Sequence, residues 1–410
     1  MQNQASEKLD QVIYTRCKPH RDLKNNGQVV HSDGFGIFSM NRELLNKSQS
    51  VNFDMLQTRL SRQNGAKEGS AAGLFHSYEY YPLGEMVYAI SYEVARPLCR
   101  EPRKSGQSHR PGTYIKQCLV GEITGYPFNW FGTTVWDAWK KSENSYYLDE
   151  PSDGDPEFLA QVDNRPVAVG KIISLESVRA FVSQGRRDMV KAGMWFLLHE
   201  YDKSENDRKV LLIRDIPENV ELWVAAFEYG LPDYLARKIP FSTNVSRLST
   251  QTDQSLFYYT DIKGNVSTVL NRSVQQFRHP YAMIAGFHPK DNYCSTVRAM
   301  PTSNFAIIDG ENLTTSIQAD DTIRSSYYSD LIRYDGDIRD FCEYVMPKMP
   351  LKEICSKIAE LYEAYTYLLD ENHKVDSWQY EETLSAFCKF NQYGISDDMK
   401  MNEYLFTEAC

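Results

Sequence analysis

In the first third of the chain, short runs of β-branched and aromatic residues alternate with polar ones. The segments QVIYTRC, GIFSM, SYEYYPLG, MVYAISYEVA and TYIKQCLVGEITGY are broken by Gly and Pro, which predicts a series of strands between residues 10 and 135. Among them, NRELLNKSQSVNFDMLQTRLSRQ carries Leu44, Leu45, Met55, Leu56 and Leu60 at helical steps and predicts one or two short helices. Residues 144 to 166, with DEPSDGDPEF inside, are acidic and turn-forming and read as a linker.

Beyond the linker the period changes. Ser174 is a candidate N-cap for SLESVRAFVSQGRRDMVKAGMWFLLHEY, whose Leu175, Val178, Phe181, Val182, Met189 and Trp195 form an inward face interrupted near Gly185. VLLIRD follows as a strand, ENVELWVAAFEYGLP as a helix, KIPFSTN as a second strand, and SLFYYTD, YAMIAGF and FAIID as further strands. Strands alternating with helices predict a parallel or mixed sheet covered by helices. From Thr322 the chain reads as helical, with Leu351, Ile354, Ile358, Leu361 and Tyr365 making one apolar stripe expected to pack on the preceding domain. The expected architecture combines α+β and α/β parts. A β-rich N-terminal domain covers 1–143, the linker 144–166, an α/β middle domain with a mixed sheet 167–320, and a helical C-terminal region 321–410.

A chain of 410 residues has room for two or three such cores. No stretch approaches the roughly 20 apolar residues of a spanning helix, and MQNQASEKLD lacks the apolar core of a secretory signal, so a cytoplasmic protein without membrane attachment is expected. The eight cysteines show no CxxC and no framework spacing, which suits free thiols. Charge is unevenly spread. Residues 1–150 carry 18 Lys and Arg against 16 Asp and Glu, 151–310 carry 18 against 19, and 311–410 carry 9 against 20. The last quarter therefore repels phosphate backbones and favours a basic protein partner.

Candidate chemistry is sparse. Neither GxxxxGK[ST] nor GxGxxG occurs, and Gly34-Phe35-Gly36, ahead of the strand-like IFSM, reads as a turn or bulge rather than a phosphate loop. Asp215 and Asp309 each end a predicted strand, in LLIRD and FAIID, where α/β sheets collect ligands, so a convergent pair would suit Mg²⁺ in a nuclease or phosphohydrolase. Ordinary turn chemistry is the competing account of both. Cys17, His20, His31 and Asp33 lack the paired spacing of a zinc site, and Cys99 or Cys118 with His109 lacks the orienting group a nucleophile needs. No cofactor is expected. The densest basic run places Arg96, Arg100, Arg103, Lys104 and Arg110 in one loop, which suits an acidic protein surface or a phosphate-bearing ligand, nucleic acid included.

VIYTRC with GFGIFSMN, YYPLGEMVYAIS and RPGTYIKQCLVG, followed by VLLIRDIPENVELWVAAFEYGLPDYLARKIPFSTN, resembles the N-terminal and middle domains of GTPase-associated protein 1. The resemblance covers roughly residues 10 to 310, and its most distinctive piece is the Trp-bearing helix leading through Leu231-Pro232 into Phe241-Ser242-Thr243. It implies an adaptor or sensor in a bacterial conflict or antiviral system, acting with a GTPase and further effectors, and it carries over no catalytic residue. Family members usually continue Phe-Ser-Thr into Tyr, whereas Asn244 follows here. The expectation is thus a non-enzymatic interaction component, with a metal-dependent nuclease or phosphohydrolase as the alternative.

Overall fold

The computed structural model describes residues 8–17, 34–41, 75–83, 85–95, 114–121, 123, 125–131, 162–163, 173–203, 208–243, 283–289, 305–334, 337–348 and 354–369. Helices and a mixed sheet make it an α+β structure. The strands are β1 (Lys8–Cys17), β2 (Gly34–Met40), β3 (Phe75–Leu83), β4 (Glu85–Ala95), β5 (Tyr114–Gly121), β6 (Val162–Asp163), β7 (Val210–Arg214), β8 (Phe241–Ser242), β9 (Ile284–Phe287), β10 (Phe305–Asp309) and β11 (Thr314–Thr315). Their order is β11-β10-β7-β9-β8-β3-β4-β5-β1-β2, with β6 paired to β1. The neighbours β10/β7, β7/β9 and β9/β8 run parallel; all other pairs are antiparallel. Strand β8 is the hinge between the two kinds of pairing, because Tyr78 and Ser77 of β3 register with its Phe241 and Ser242.

Among the described residues seven α-helices accompany the sheet: α1 (Leu175–Ser183), α2 (Arg187–Asp202), α3 (Pro217–Tyr229), α4 (Asp233–Ala236), α5 (Ser326–Leu331), α6 (Asp337–Asp340) and α7 (Ile354–Leu369). Ser174 caps α1 as its sequence predicts, its hydroxyl accepting the Ser177 N–H at 3.1 Å. Gly185, at φ +81°, supplies the left-handed residue that separates α1 from α2. Ile358, Leu361, Tyr362, Ala364 and Tyr365 of α7 are buried, with Tyr327, Phe341, Tyr362 and Tyr365 making edge-on, tilted and stacked ring contacts at 5.2–6.3 Å.

One local expectation is revised and two gain detail. Gly34-Phe35-Gly36 opens β2 and pairs with Cys17, Arg16 and Thr15, and the register shift lies farther along, between Ile13 and Tyr14. The expected linker contains β6, paired to Lys8 and Leu9. Among the described residues of KIPFSTN, Phe241–Ser242 is strand, joined to β9 in part by the Pro240 carbonyl, which accepts from the N–H groups of Met283 and Ile284 at 2.7 and 3.2 Å. The segments 41–63, SLFYYTD and SWQYEETLSAFCKF lie outside the described residues, apart from Asn41.

Helix α3 is the centre of the core. Trp223 to Glu228 are all buried, so the second half of the helix is enclosed on every side, while Glu218 is exposed and Asn219, Glu221 and Leu222 are half-buried. Phe181 of α1 meets Trp223 edge-on at 5.1 Å, and Phe227 stacks on the same indole at 6.1 Å. Beneath α3, Gly286 of β9 has no room for a methyl group: a Cβ there meets the Thr243 carbonyl oxygen and sits 2.5 Å from Val220 Cγ1. Because one of these neighbours is backbone, relaxation is costly. Gly286→Ala is expected to destabilise the fold by about 3 kcal/mol, read as a lower urea midpoint at unchanged slope.

Candidate functional site

The parallel strands β10, β7, β9 and β8 all end on one side, and the sequence order reverses between β7 and its two neighbours. The carboxyl edge of such a sheet is where open α/β folds form crevices. Both strand-end aspartates lie there. Asp309 closes β10 in register with Arg214, the last residue of β7. One step farther, Gly310 donates its N–H to the Arg214 carbonyl at 2.9 Å and lies beside Asp215, whose Oδ2 occupies the space a Cβ would take. Since side chains alternate along a strand, Asp309 and Asp215 project to opposite faces of the sheet.

On one face, Arg214 Nη1 donates to both carboxylate oxygens of Asp309 at 2.9 and 3.1 Å, and also pairs with Glu311 at 2.6 Å. Asn312 completes the group, its backbone N–H reaching Asp309 Oδ1 at 3.1 Å and its side-chain amide Oδ2 at 2.8 Å. Burial opposes ionisation of Asp309, but the bonds from Asn312 and Arg214 outweigh it and hold the carboxyl below its ordinary range. On the other face, Asp215 Oδ1 accepts from Ile216 N and Asn219 Nδ2, each at 2.9 Å, and Oδ2 accepts from Trp223 Nε1 at 3.1 Å. Asp215 thus satisfies the opening of α3 and the one polar atom of its buried indole. All four carboxylate oxygens are engaged by donors of this chain, and the aspartates do not converge on a shared cation site.

The remaining candidates fare differently. Arg96, Arg100, Arg103, Lys104 and Arg110 lie outside the described residues, as do Cys99, His109, His20, His31 and Asp33. Cys118 is buried within β5, and among the described residues no group of three or more His, Cys, Asp or Glu is placed to hold a metal ion.

A buried acid that the sequence reading passed over sits at the far end of α3. Glu228 is 1% exposed. Its Oε2 accepts the N–H of Phe128, in the 3-10 turn Pro127–Trp130 after β5, at 3.0 Å, while Oε1 has no hydrogen-bond partner among the described residues. Around it, Phe128 packs against Tyr229 at 4.6 Å and Tyr126 at 5.6 Å. Tyr126 donates to the Leu231 carbonyl at 2.9 Å and accepts from Arg339 Nη1 at 3.3 Å. Burial pushes the Glu228 carboxyl well above its ordinary value, and the Phe128 bond offsets only part of that. Burial likewise pushes the Cys342 thiol up to about 12. The signal in the sequence is a lone Glu inside WVAAFEYGL, a stretch otherwise without charge.

These two acids titrate with opposite consequences. Asp309 is more acidic folded than unfolded, so its contribution is present above the ordinary value of 3.8 and is lost as pH falls below it. Asp309→Asn is expected to cost about 2 kcal/mol at pH 7, with the deficit shrinking as wild type is acidified. Glu228 is less acidic folded, so its contribution is complete below the ordinary 4.5 and is lost as pH rises toward its folded value. Glu228→Gln, which keeps an acceptor for Phe128 N–H and removes the ionisable proton, is expected to be more stable than wild type at pH 8 and to converge on it at pH 4. Urea unfolding of both proteins across that range measures it.

No protein-family model matches the chain, and no curated protein matches it.

Proposed function

We propose that this chain is a non-enzymatic interaction component, an adaptor or sensor, of a bacterial antiviral or conflict system, acting in the cytoplasm with a GTPase and further effectors. The observation that carries the non-enzymatic part is the engagement of all four oxygens of Asp215 and Asp309 by Arg214, Asn312, Ile216, Asn219 and Trp223. A carboxylate pair that serves Mg²⁺ must present free lone pairs on a common side, and these two close the ends of β7 and β10 instead. The GTPase part is supported by the resemblance of residues 10–310 to GTPase-associated protein 1. Its most distinctive stretch corresponds to α3, α4 and β8, the run of chain that contains the fully buried Trp223.

The proposal keeps the finer layout of a β-rich N-terminal domain, an α/β middle domain and an acidic helical C-terminal region. Among the described residues no helix is long and apolar enough to cross a membrane. Affinity purification of the chain at native expression, from cells carrying its neighbouring genes, is expected to recover a GTPase in stoichiometric amount. A chain recovered alone while that GTPase is present in the cells overturns the reading.

A further inference from the structure

The chain that leaves β5 crosses the end of α3 as a strap, of which Ile123 and residues 125–131 are described. It turns in at Gly125, left-handed at φ +73°. Polar bonds tie it to the helices. Arg237 Nη1 donates to the Ile123 carbonyl at 3.2 Å, Tyr126 to the Leu231 carbonyl at 2.9 Å, Arg339 Nη1 to the Tyr126 hydroxyl at 3.3 Å, and Phe128 N–H to Glu228 Oε2 at 3.0 Å. Phe128 and Phe131 add ring contacts with Tyr229 at 4.6 Å and with Phe241 of β8 at 5.4 Å.

The bond to Glu228 differs in kind from the others. Those join guanidinium, phenol and carbonyl groups, which keep their charge through the neutral range. Glu228 is a fully buried carboxyl with one oxygen on the strap and, among the described residues, no partner for the second and no cation beside it. The charged groups on the surrounding elements are paired with one another, Arg339 of α6 with Glu343 at 3.2 Å and Arg237 with Asp233 of α4 at 3.6 Å. Tyr126 of the strap, Tyr229 of α3, Tyr334 after α5 and Cys342 after α6 are all pushed up by burial and stay neutral. A carboxylate in that place is an uncompensated interior charge, and only hydration relieves it. Because the bonded partner belongs to the strap, lifting the strap admits water without unwinding α3.

We infer that Glu228 is a proton-operated latch: with its carboxyl neutral the strap is closed over the end of α3, and loss of the proton releases the strap while the sheet stays folded. The sign follows from linkage. The hydrated carboxyl of the open form ionises near the ordinary 4.5 and that of the closed form well above it. The open fraction is therefore constant below 4.5, rises about tenfold per pH unit up to the closed-form value, and levels off beyond it. Rising pH is the signal. Release uncovers Tyr126, Phe128 and Tyr229 and frees the connection that runs from β5 to α3, so the antiparallel strands lose one of their tethers to the helix. The latch does not depend on the proposed function.

Hydrogen exchange of the full chain, read by mass spectrometry between about pH 5 and pH 8 with and without about 1 M urea, tests it. Protection of residues 125–131, corrected for the intrinsic exchange rate, is expected to fall about tenfold per pH unit and to be indifferent to urea, the mark of a local opening. Strand β7 is expected to stay more protected and to respond to urea. Glu228→Gln keeps the acceptor and cannot ionise, so the strap's protection is expected to be constant across the same range. Arg339→Met removes a bond that does not titrate and is expected to lower the protection about fivefold at every pH, with the slope unchanged. Protection of the strap that is flat in wild type, that falls equally in Glu228→Gln, or that falls only in step with β7 and with urea overturns the inference. If Glu228→Gln does not fold, the slope and urea response of wild type and Arg339→Met decide it.

Discussion

The hydrogen bond from Trp223 Nε1 to Asp215 Oδ2 is the constraint around which the parallel half of the sheet is arranged. Where a helix is enclosed on every side, as α3 is from Trp223 to Glu228, no solvent accepts its polar atoms, so each needs a partner within the chain. Trp223 finds one only because Asp215 follows β7 directly and precedes the Ile216-Pro217 entry to α3, which lets one carboxylate serve the strand end, the first turn and the indole. Two close approaches follow. Gly310 leaves room for the Asp215 carboxylate, and Gly286 lets α3 settle on β9. At the other end of α3 the same demand is met less completely. Glu228 gives one oxygen to Phe128 N–H and, among the described residues, leaves the second without a partner, and burial pushes its carboxyl well above the ordinary range.

Much of this frame can be read in the sequence where local chemistry decides structure. The apolar runs of β7, β9 and β10, the Ser174 cap and the break at Gly185 depend on residues within a few positions of one another. What is not legible depends on pairing across the chain. KIPFSTN has strand composition, but that its Phe241 and Ser242 pair on one side with Ile284 and Ala285 and on the other with Tyr78 and Ser77 depends on residues more than 40 positions away. The reversal that puts β7 between β9 and β10 is equally absent from periodicity.

The strand-end aspartates show where a motif reading goes astray and what would have corrected it. Asp215 and Asp309 are correctly placed at the carboxyl edge by the runs that precede them. Their partners are Asn219, four residues on, and Asn312, three residues on, and that Asp-to-Asn spacing at a turn is visible in the sequence as local closure. The cross-strand role of Arg214 is not visible, since it requires the register of β7 on β10. Glu228 was missed for the opposite reason: a Glu in a helix reads as solvent-facing unless that turn of the helix is known to be enclosed, as residues 223–228 are.

Satisfying polar groups inside such a frame leaves little freedom at its centre, which makes the edge informative. From Asp309 to Asp320 nearly every inward group is committed: Asp309 to Arg214 and Asn312, Ser316 to Ile307, Thr315 Oγ1 to the Ile307 carbonyl, Asp320 to Trp195 and Thr322. The hairpin is therefore ordered by its own short-range bonds, and Leu313, left-handed at φ +52°, lies against Gly185 at the turn between α1 and α2, so the end of β10 and the α1–α2 turn are packed on one another.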